Sequence, residues 1–194
     1  MPYFPLFVNI EGRRCVVVGG GAVAVRKAAA LLEYGAKVEV IAPSPSSGME
    51  ALVQGGGAGI VRRAYGGGGD IRGAAMVVSA SGDAAVDAAV ARDSNELGIP
   101  VNVADAPALC SFYFPAVVRR GEISVGVSTS GSCPRLAGRI RAWMESRLPE
   151  WLAGLPARLG PERARLIASG LPEDEIVRLL DIKIDAAFDE AGLL

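Results

Sequence analysis

Three consecutive glycines, Gly19 to Gly21, follow the run Cys15-Val16-Val17-Val18 and open an alanine-rich stretch that closes at Gly35. Read as a strand, then Gly19-x-Gly21-x-x-Ala24, then a helix, this spacing suits a dinucleotide. The first glycine permits a tight turn, the second lets a pyrophosphate approach the backbone, and the small third residue lets helix and strand pack closely. Free N–H groups at the helix start would then face the phosphates. A bare G-x-G-x-x-A is a weak signal, and the alternative is a turn that serves packing alone. Its setting between a buried strand and a helix, with a second strand in "KVEVIAP", favours the dinucleotide.

Other residues suited to chemistry lie further along. The second strand should end in Asp or Glu for the adenosine ribose, but that slot holds Ala42, followed by Pro43 and Ser44. Glu39 lies inside the strand and is expected to point elsewhere. Ser44 and backbone groups would hold the ribose, and with no basic pair there to meet a 2′-phosphate, NAD is favoured over NADP. "VNVAD" ends a later strand and places Asn102 and Asp105 at the edge where a nicotinamide would lie. Asp105 is the candidate base; the alternative is a turn aspartate before Pro107. In "STSGSCPRL", Ser128, Thr129, Ser130, Gly131 and Ser132 precede Pro134 at the expected N1 position of a helix, a layout that favours an anion at the helix start. Arg119, Arg120, Arg135, Arg139 and Arg141 are near in sequence. A substrate with many carboxylates would suit them, and a solvated helix face capped by Ser130 or Ser132 fits them equally well.

The elements that must position these residues alternate. "RCVVVGG" reads as a strand covered on both faces, Ala22 to Tyr34 as a helix, and "KVEVIAP" as the second strand. "GGGAGIVRRAYGGGGD" reads as two flexible loops around a short strand over 60–65. "AAMVVSAS" is a fourth strand, Asp83 caps a helix to about Leu97, and "PVNVAD" is the fifth strand. The implied fold is α/β, a Rossmann-like doubly wound parallel sheet of order 3-2-1-4-5. Beyond it, "EISVGVSTS" reads as a strand and "CPRLAGRIRAWMESRL" as an amphipathic helix, a smaller α/β module. After Pro149 the helical pieces should break at Pro156, Gly160, Pro161, Gly170 and Pro172. The expected division is 1–114, 115–148 and 149–194.

The totals narrow the chemistry. The 194 residues carry 20 Lys and Arg against 21 Asp and Glu, a net charge of −1 that gives no sign of a nucleic-acid surface. Histidine is absent, so a metal site built on imidazole is excluded and proton transfer falls to carboxylate, Lys, Tyr, Cys or water. Cys15, Cys110 and Cys133 are odd in number and widely spaced, against a disulfide framework or zinc site, and are expected to be buried or semi-buried thiols. No uncharged apolar run reaches the ~18–20 residues of a membrane span. The N-terminal stretch shows no export signal, so the expected compartment is the cytoplasm.

"PLFVNIEGRRCVVVGGGAVAVRKAAALLEYGAKVEVIAP" and "VNVADAPALCSFYFPAVVRRGEISVGVSTSGSCPRLAGRIR" together resemble the precorrin-2 dehydrogenase family, the N-terminal module of siroheme synthases, some members of which are also sirohydrochlorin ferrochelatases. The likeness covers about residues 3 to 150; the tail matches only as a helical extension. It departs at "SASGDAAV", where the family has an acid-rich turn, and over 55–69. The resemblance implies that the glycine turn with Ala22 and Val23 holds the NAD pyrophosphate and that Pro43 with Ser44 meets the adenosine side. It also implies that Asp105 is the general base and that Ser128 to Pro134, with Arg135 alongside, faces the tetrapyrrole carboxylates. The segment from about Pro115 to Arg147 would form a homodimer. The implied reaction is oxidation of precorrin-2 to sirohydrochlorin by NAD, with insertion of Fe²⁺ or Co²⁺ left open. Two other classes stay in view: a non-catalytic NAD sensor, and a small-acid oxidoreductase of the same fold.

Overall fold

The protein is described here from a computed structural model covering residues 3–192, which fall into two compact units, Met1–Phe114 and Pro115–Leu194. In the first unit β1 (Arg14–Val18), β2 (Lys37–Ile41), β3 (Ala58–Val61), β4 (Met76–Ser79) and β5 (Val101–Val103) form one sheet. Its order is β3-β2-β1-β4-β5, every pairing parallel, as expected for a doubly wound sheet.

Successive residues of β1 serve opposite faces, and both faces are covered. Cys15 and Val17 join α1 (Ala22–Glu33) through Ala24, Ala28 and Leu31, while Val16 and Val18 join Val90 and Ala91 of α3 (Ala84–Glu96). A strand between two helical layers must be apolar throughout, which accounts for the unbroken run in the sequence. Asp83 caps α3 by accepting from the N–H groups of Ala85 (2.8 Å) and Val86 (3.3 Å), and Gly98 leaves the helix at φ +66°.

The glycine-heavy region differs from the sequence-based expectation. An unexpected helix, α2 (Ser47–Gln54), follows β2; Ser46 caps it by accepting from Met49 N–H, and the Met49 side chain is fully buried. β3 lies earlier than expected because its pairing with β2 begins at Ala58 against Val38. Residues 62–70 are tied down by side chains rather than left as open loop. Arg62 reaches both carboxylate oxygens of Glu50 (2.9 and 2.7 Å), Arg63 grips Asp70 (2.8 and 2.6 Å), and Tyr65 O–H donates to Asp93 on α3 (2.9 Å). The Tyr65 hydroxyl is accordingly harder to ionise, through burial first and then its bond to Asp93.

In the second unit β6 (Ala116–Arg120) and β7 (Ile123–Val127) form an antiparallel hairpin followed by α4 (Pro134–Glu145). The two-residue turn needs Gly121: φ is +58°, and a Cβ there would stand 2.5 Å from the Ala153 carbonyl oxygen. Arg120 donates to the carbonyls of Glu145 (2.7 Å) and Leu148 (3.1 Å), supplying a cation to the end of α4. α5 (Leu155–Ala168) runs straight through Gly160 and Pro161, contrary to the expected break, and α6 (Glu173–Glu190) follows. Packing overrides the weak residues: Leu155 and Leu159 join Trp151, Ala187 and Phe188, with Trp151 edge-on to Phe188 at 5.1 Å. Glu162 adds ion pairs to Arg165 and to Lys183 of α6.

The tightest requirement in the first unit is at Gly19. Its φ is +122°, and a Cβ would lie 2.1 Å from the Ala80 carbonyl oxygen. Gly19→Ala should therefore lower the free energy of unfolding by roughly 3 kcal/mol or more, from strain and overpacking together, and chemical denaturation would reveal this as a lower transition midpoint.

Candidate functional site

The turns after β1, β2, β4 and β5 gather at the carboxyl edge of the sheet, and the strand order reverses between β1 and β4. That reversal leaves a crevice in which ligands of open α/β sheets bind. Gly19 closes the first turn, its N–H bonded to the Ile41 carbonyl (2.9 Å). Gly20 lies against the next turn, where a Cβ would come 2.8 Å from Pro45 Cα, and its carbonyl accepts from Ser46 N–H (3.0 Å).

Gly21 is different. It is exposed, and a Cβ there would meet nothing within 4 Å. It is the N-cap of α1, whose first turn carries neither a side-chain cap nor an acid. Open space in front of uncapped helix N–H groups fits a pyrophosphate, the group the sequence spacing suggests. Ala22 and Val23 supply the first turn of α1, and Pro43 and Ser44 are exposed on the neighbouring turn. Ala42 is buried against that turn, and Glu39 is turned away into an ion pair with Arg14 (2.9 Å). Val23 also lines a cavity of about 390 Å³ together with Ala80, Gly82, Asp87, Asp105 and Leu109.

Asp105 is exposed at φ +58°, a left-handed conformation that Asp tolerates better than most residues. The strand before it is fixed. Ala104 N–H donates to the Ser79 carbonyl (2.8 Å), and the Cys110 sulfur accepts from Val103 N–H (3.2 Å), clasping the loop from 104 to 110. Asn102 is buried beneath, its amide nitrogen donating to the Phe112 carbonyl (3.0 Å). It thereby anchors the segment that carries Phe114, over whose ring the Lys27 ammonium stands at 3.8 Å. Burial is the main cause that lowers the Lys27 pKa.

Asp87 was not anticipated from the sequence. It projects from α3 and accepts on one oxygen, Oδ1, from the Ser79 hydroxyl (2.6 Å), the Ser81 hydroxyl (2.7 Å) and Ser81 N–H (3.3 Å). A signal existed: Asp87 stands three and four positions before the buried Val90 and Ala91, an acid on the apolar face of a helix.

In the second unit, Ser128, Thr129, Ser130, Gly131 and Ser132 form the β7–α4 connection. Ser130 lies at φ +53°, its N–H bonded to the Ser128 hydroxyl (3.1 Å), and Cys133 N–H donates to the Thr129 hydroxyl (3.2 Å). Neither Ser130 nor Ser132 caps α4, whose N-cap is Cys133 without a side-chain bond. Cys133 is exposed rather than buried, and Arg135 is exposed in the first turn. All three thiols are free. Among the described residues no helix is long and apolar enough to cross a membrane, and no group of three or more acids and cysteines could hold a metal ion.

Residues 6–116 match a family model described as "Putative NAD(P)-binding". The chain belongs to this NAD(P)-binding family. Curated proteins of similar sequence include siroheme synthases. That of Azotobacter vinelandii is 42% identical over 170 residues, covering 86% of this chain and 36% of the relative. That of Pseudomonas paraeruginosa is 45% identical over 161 residues, covering 81% and 34%. The chain thus spans about a third of the length of these curated relatives. A solved structure titled "SirC, precorrin-2 dehydrogenase" superposes with a TM-score of 0.71 at 26% identity, over 92% of this chain and 88% of the other.

As an NAD(P)-binding family member, the chain should distinguish its glycines. Gly21→Ala has an ordinary φ of −82° and free space for its methyl group, so its unfolding midpoint should stay near wild type, while the methyl intrudes where a pyrophosphate would lie. Calorimetric titration with NAD⁺ should show at least a tenfold rise in Kd.

Proposed function

We propose that this protein oxidises precorrin-2 to sirohydrochlorin with NAD as hydride acceptor. The observation that carries the reading is Asp105, an exposed carboxylate on a fixed strand end, lining the same cavity as Val23 of the glycine turn. The likeness to siroheme synthases and to the precorrin-2 dehydrogenase structure supports the substrate and the reaction.

When bound, NAD⁺ supplies the acceptor for the hydride that the macrocycle loses. The chain's own residues do the rest. The glycine turn, Ala22 and Val23 hold the pyrophosphate, and Pro43 and Ser44 border the adenosine; the absence of a basic pair there favours NAD over NADP. Asn102 keeps the end of β5 and the 110–114 segment in register. Asp105 accepts the proton released as the macrocycle is oxidised, directly or through a water molecule. Ser128, Thr129, Ser130, Gly131, Ser132 and Arg135 offer hydroxyls, backbone N–H groups and a cation to the carboxylates of the tetrapyrrole.

The reading includes a homodimer formed through residues 115–148, with 149–194 as a helical extension. It is supported by α4, which exposes Leu136, Ile140 and Trp143, Trp143 being 56% exposed. Trp143→Glu should shift the sedimentation coefficient from dimer to monomer, and a wild-type protein that sediments as a monomer would remove this part of the reading. Fe²⁺ or Co²⁺ enters only as a further substrate, for a metal-insertion step in which Asp105 would again accept protons.

The decisive experiment is anaerobic. Protein, precorrin-2 and NAD⁺ are mixed, NADH and sirohydrochlorin are followed by absorbance, and Fe²⁺ or Co²⁺ is then added. Asp105→Asn is the matched variant, because Asn tolerates the left-handed backbone that Ala would not. Wild type should produce both products and the variant about a hundredfold less, with NAD⁺ affinity unchanged. NAD⁺ binding without NADH formation would point instead to a nucleotide sensor. A metal-dependent spectral change above the rate without protein would add the insertion step.

A further inference from the structure

Asp87 is a carboxylate that the proposed oxidation does not use. It is 9% exposed, and its three hydrogen-bond donors, two hydroxyls and one amide, are all neutral. All three converge on Oδ1, leaving Oδ2 without a hydrogen bond among the described residues. Oδ2 is also not sealed in the core, since among the described residues the only enclosed side-chain N or O atom without a partner is Ser94 Oγ. Asp87 lines the 390 Å³ cavity, and Oδ2 is the oxygen that its neighbours leave unengaged.

The cavity's charge is unbalanced. Its lining contains two carboxylates, Asp87 and Asp105, and neither Lys nor Arg; every other lining residue is Gly, Ala, Val or Leu. A concave, largely apolar wall holding two acids has a negative potential and favours a cation inside it. Asp87 is the less screened of the two, because it is nine-tenths buried whereas Asp105 is exposed.

We infer that Asp87 is a specificity-determining residue that makes this cavity bind the positively charged, oxidised nicotinamide ring in preference to the neutral, reduced one. This rests on the proposed function, in which the cavity receives the nicotinamide half of the cofactor. The two redox forms differ by one unit of charge on that ring, while their phosphates and sugars are the same. A fixed carboxylate therefore acts on the difference between them, loading the oxidised form and releasing the reduced form. Ser79 and Ser81 position the carboxylate by holding Oδ1 and leaving Oδ2 free.

The test is equilibrium binding by calorimetry, with no turnover. NAD⁺ and NADH are titrated separately into wild type, Asp87→Asn and Ser79→Ala. The Asn side-chain oxygen can still accept from both hydroxyls, so the turn keeps its shape while the charge is lost; Ser79→Ala removes one bond and keeps the charge. Asp87→Asn should raise the Kd of NAD⁺ about fivefold, the effect of one partly screened charge at close range, and leave that of NADH within about twofold. Ser79→Ala should preserve the wild-type ratio of the two constants. Equal weakening of both ligands in Asp87→Asn, no change in either, or a ratio that collapses in Ser79→Ala as well would overturn the inference. A wild type that binds neither nucleotide would overturn the proposed function itself, a result distinct from the other three.

Discussion

The approach of Gly19 to the Ala80 carbonyl is the contact on which the nucleotide end of the first unit depends. β1 and β4 are neighbours in the sheet but leave it in different directions, one into α1 and the other into α3. Their ends come so close that a single methyl group at Gly19 would overlap Ala80. The closeness sets the width of the crevice between the two turns and brings Ala80 and Val23 to line one cavity. Gly20 works in the same way on the other side, letting the turn after β2 close over the glycine segment. Two of the three glycines are thus required by the fold, and the third, Gly21, leaves the space that a ligand can use.

The residues legible from the sequence were those whose role is local. A strand covered on both faces must be apolar at every position, a tight turn needs glycine, and an aspartate before a helix caps it. β1, α1, the Asp83 cap and the strand order follow from such rules. Distant partners could not be read. α2 is only eight residues long, lies beside glycines, and is held by Met49 in the core and by the Glu50–Arg62 pair across to the end of β3. Residues 66–70 read as loop because nothing nearby in sequence shows that Tyr65 will find Asp93, 28 positions on. α5 continues through Gly160 and Pro161 for the same reason, since its stability comes from α6 and Trp151 and not from its own propensity.

At the candidate site the same division recurs. The glycine turn and Asp105 stood out because their spacing from strands is regular. Asp87 was marked only as an acid on the apolar face of α3, and its partners Ser79 and Ser81 lie outside that helix. In the second unit, Arg120 was one of several arginines that could have met an anion. It is instead occupied by the carbonyls at the end of α4 and by an ion pair with Glu150, which removes it from the candidate anion site and leaves Arg135 exposed beside the serine loop.

Asp105 shows how the fold supports a conformation that local preference resists. Holding a non-glycine residue at φ +58° costs on the order of 1 kcal/mol, and it persists only where neighbours leave no alternative. Three bonds do so here. Ala104 is tied to Ser79 before the aspartate, Cys110 is clasped to Val103 after it, and Asn102 holds Phe112 beneath. A relaxed, extended backbone at 105 would redirect the chain that follows it and pull Cys110 away from Val103. The turn therefore keeps Asp105 at the cavity with its backbone, and among the described residues neither of its carboxylate oxygens is held by a hydrogen bond, whereas Asp87 gives up one oxygen to be held in place.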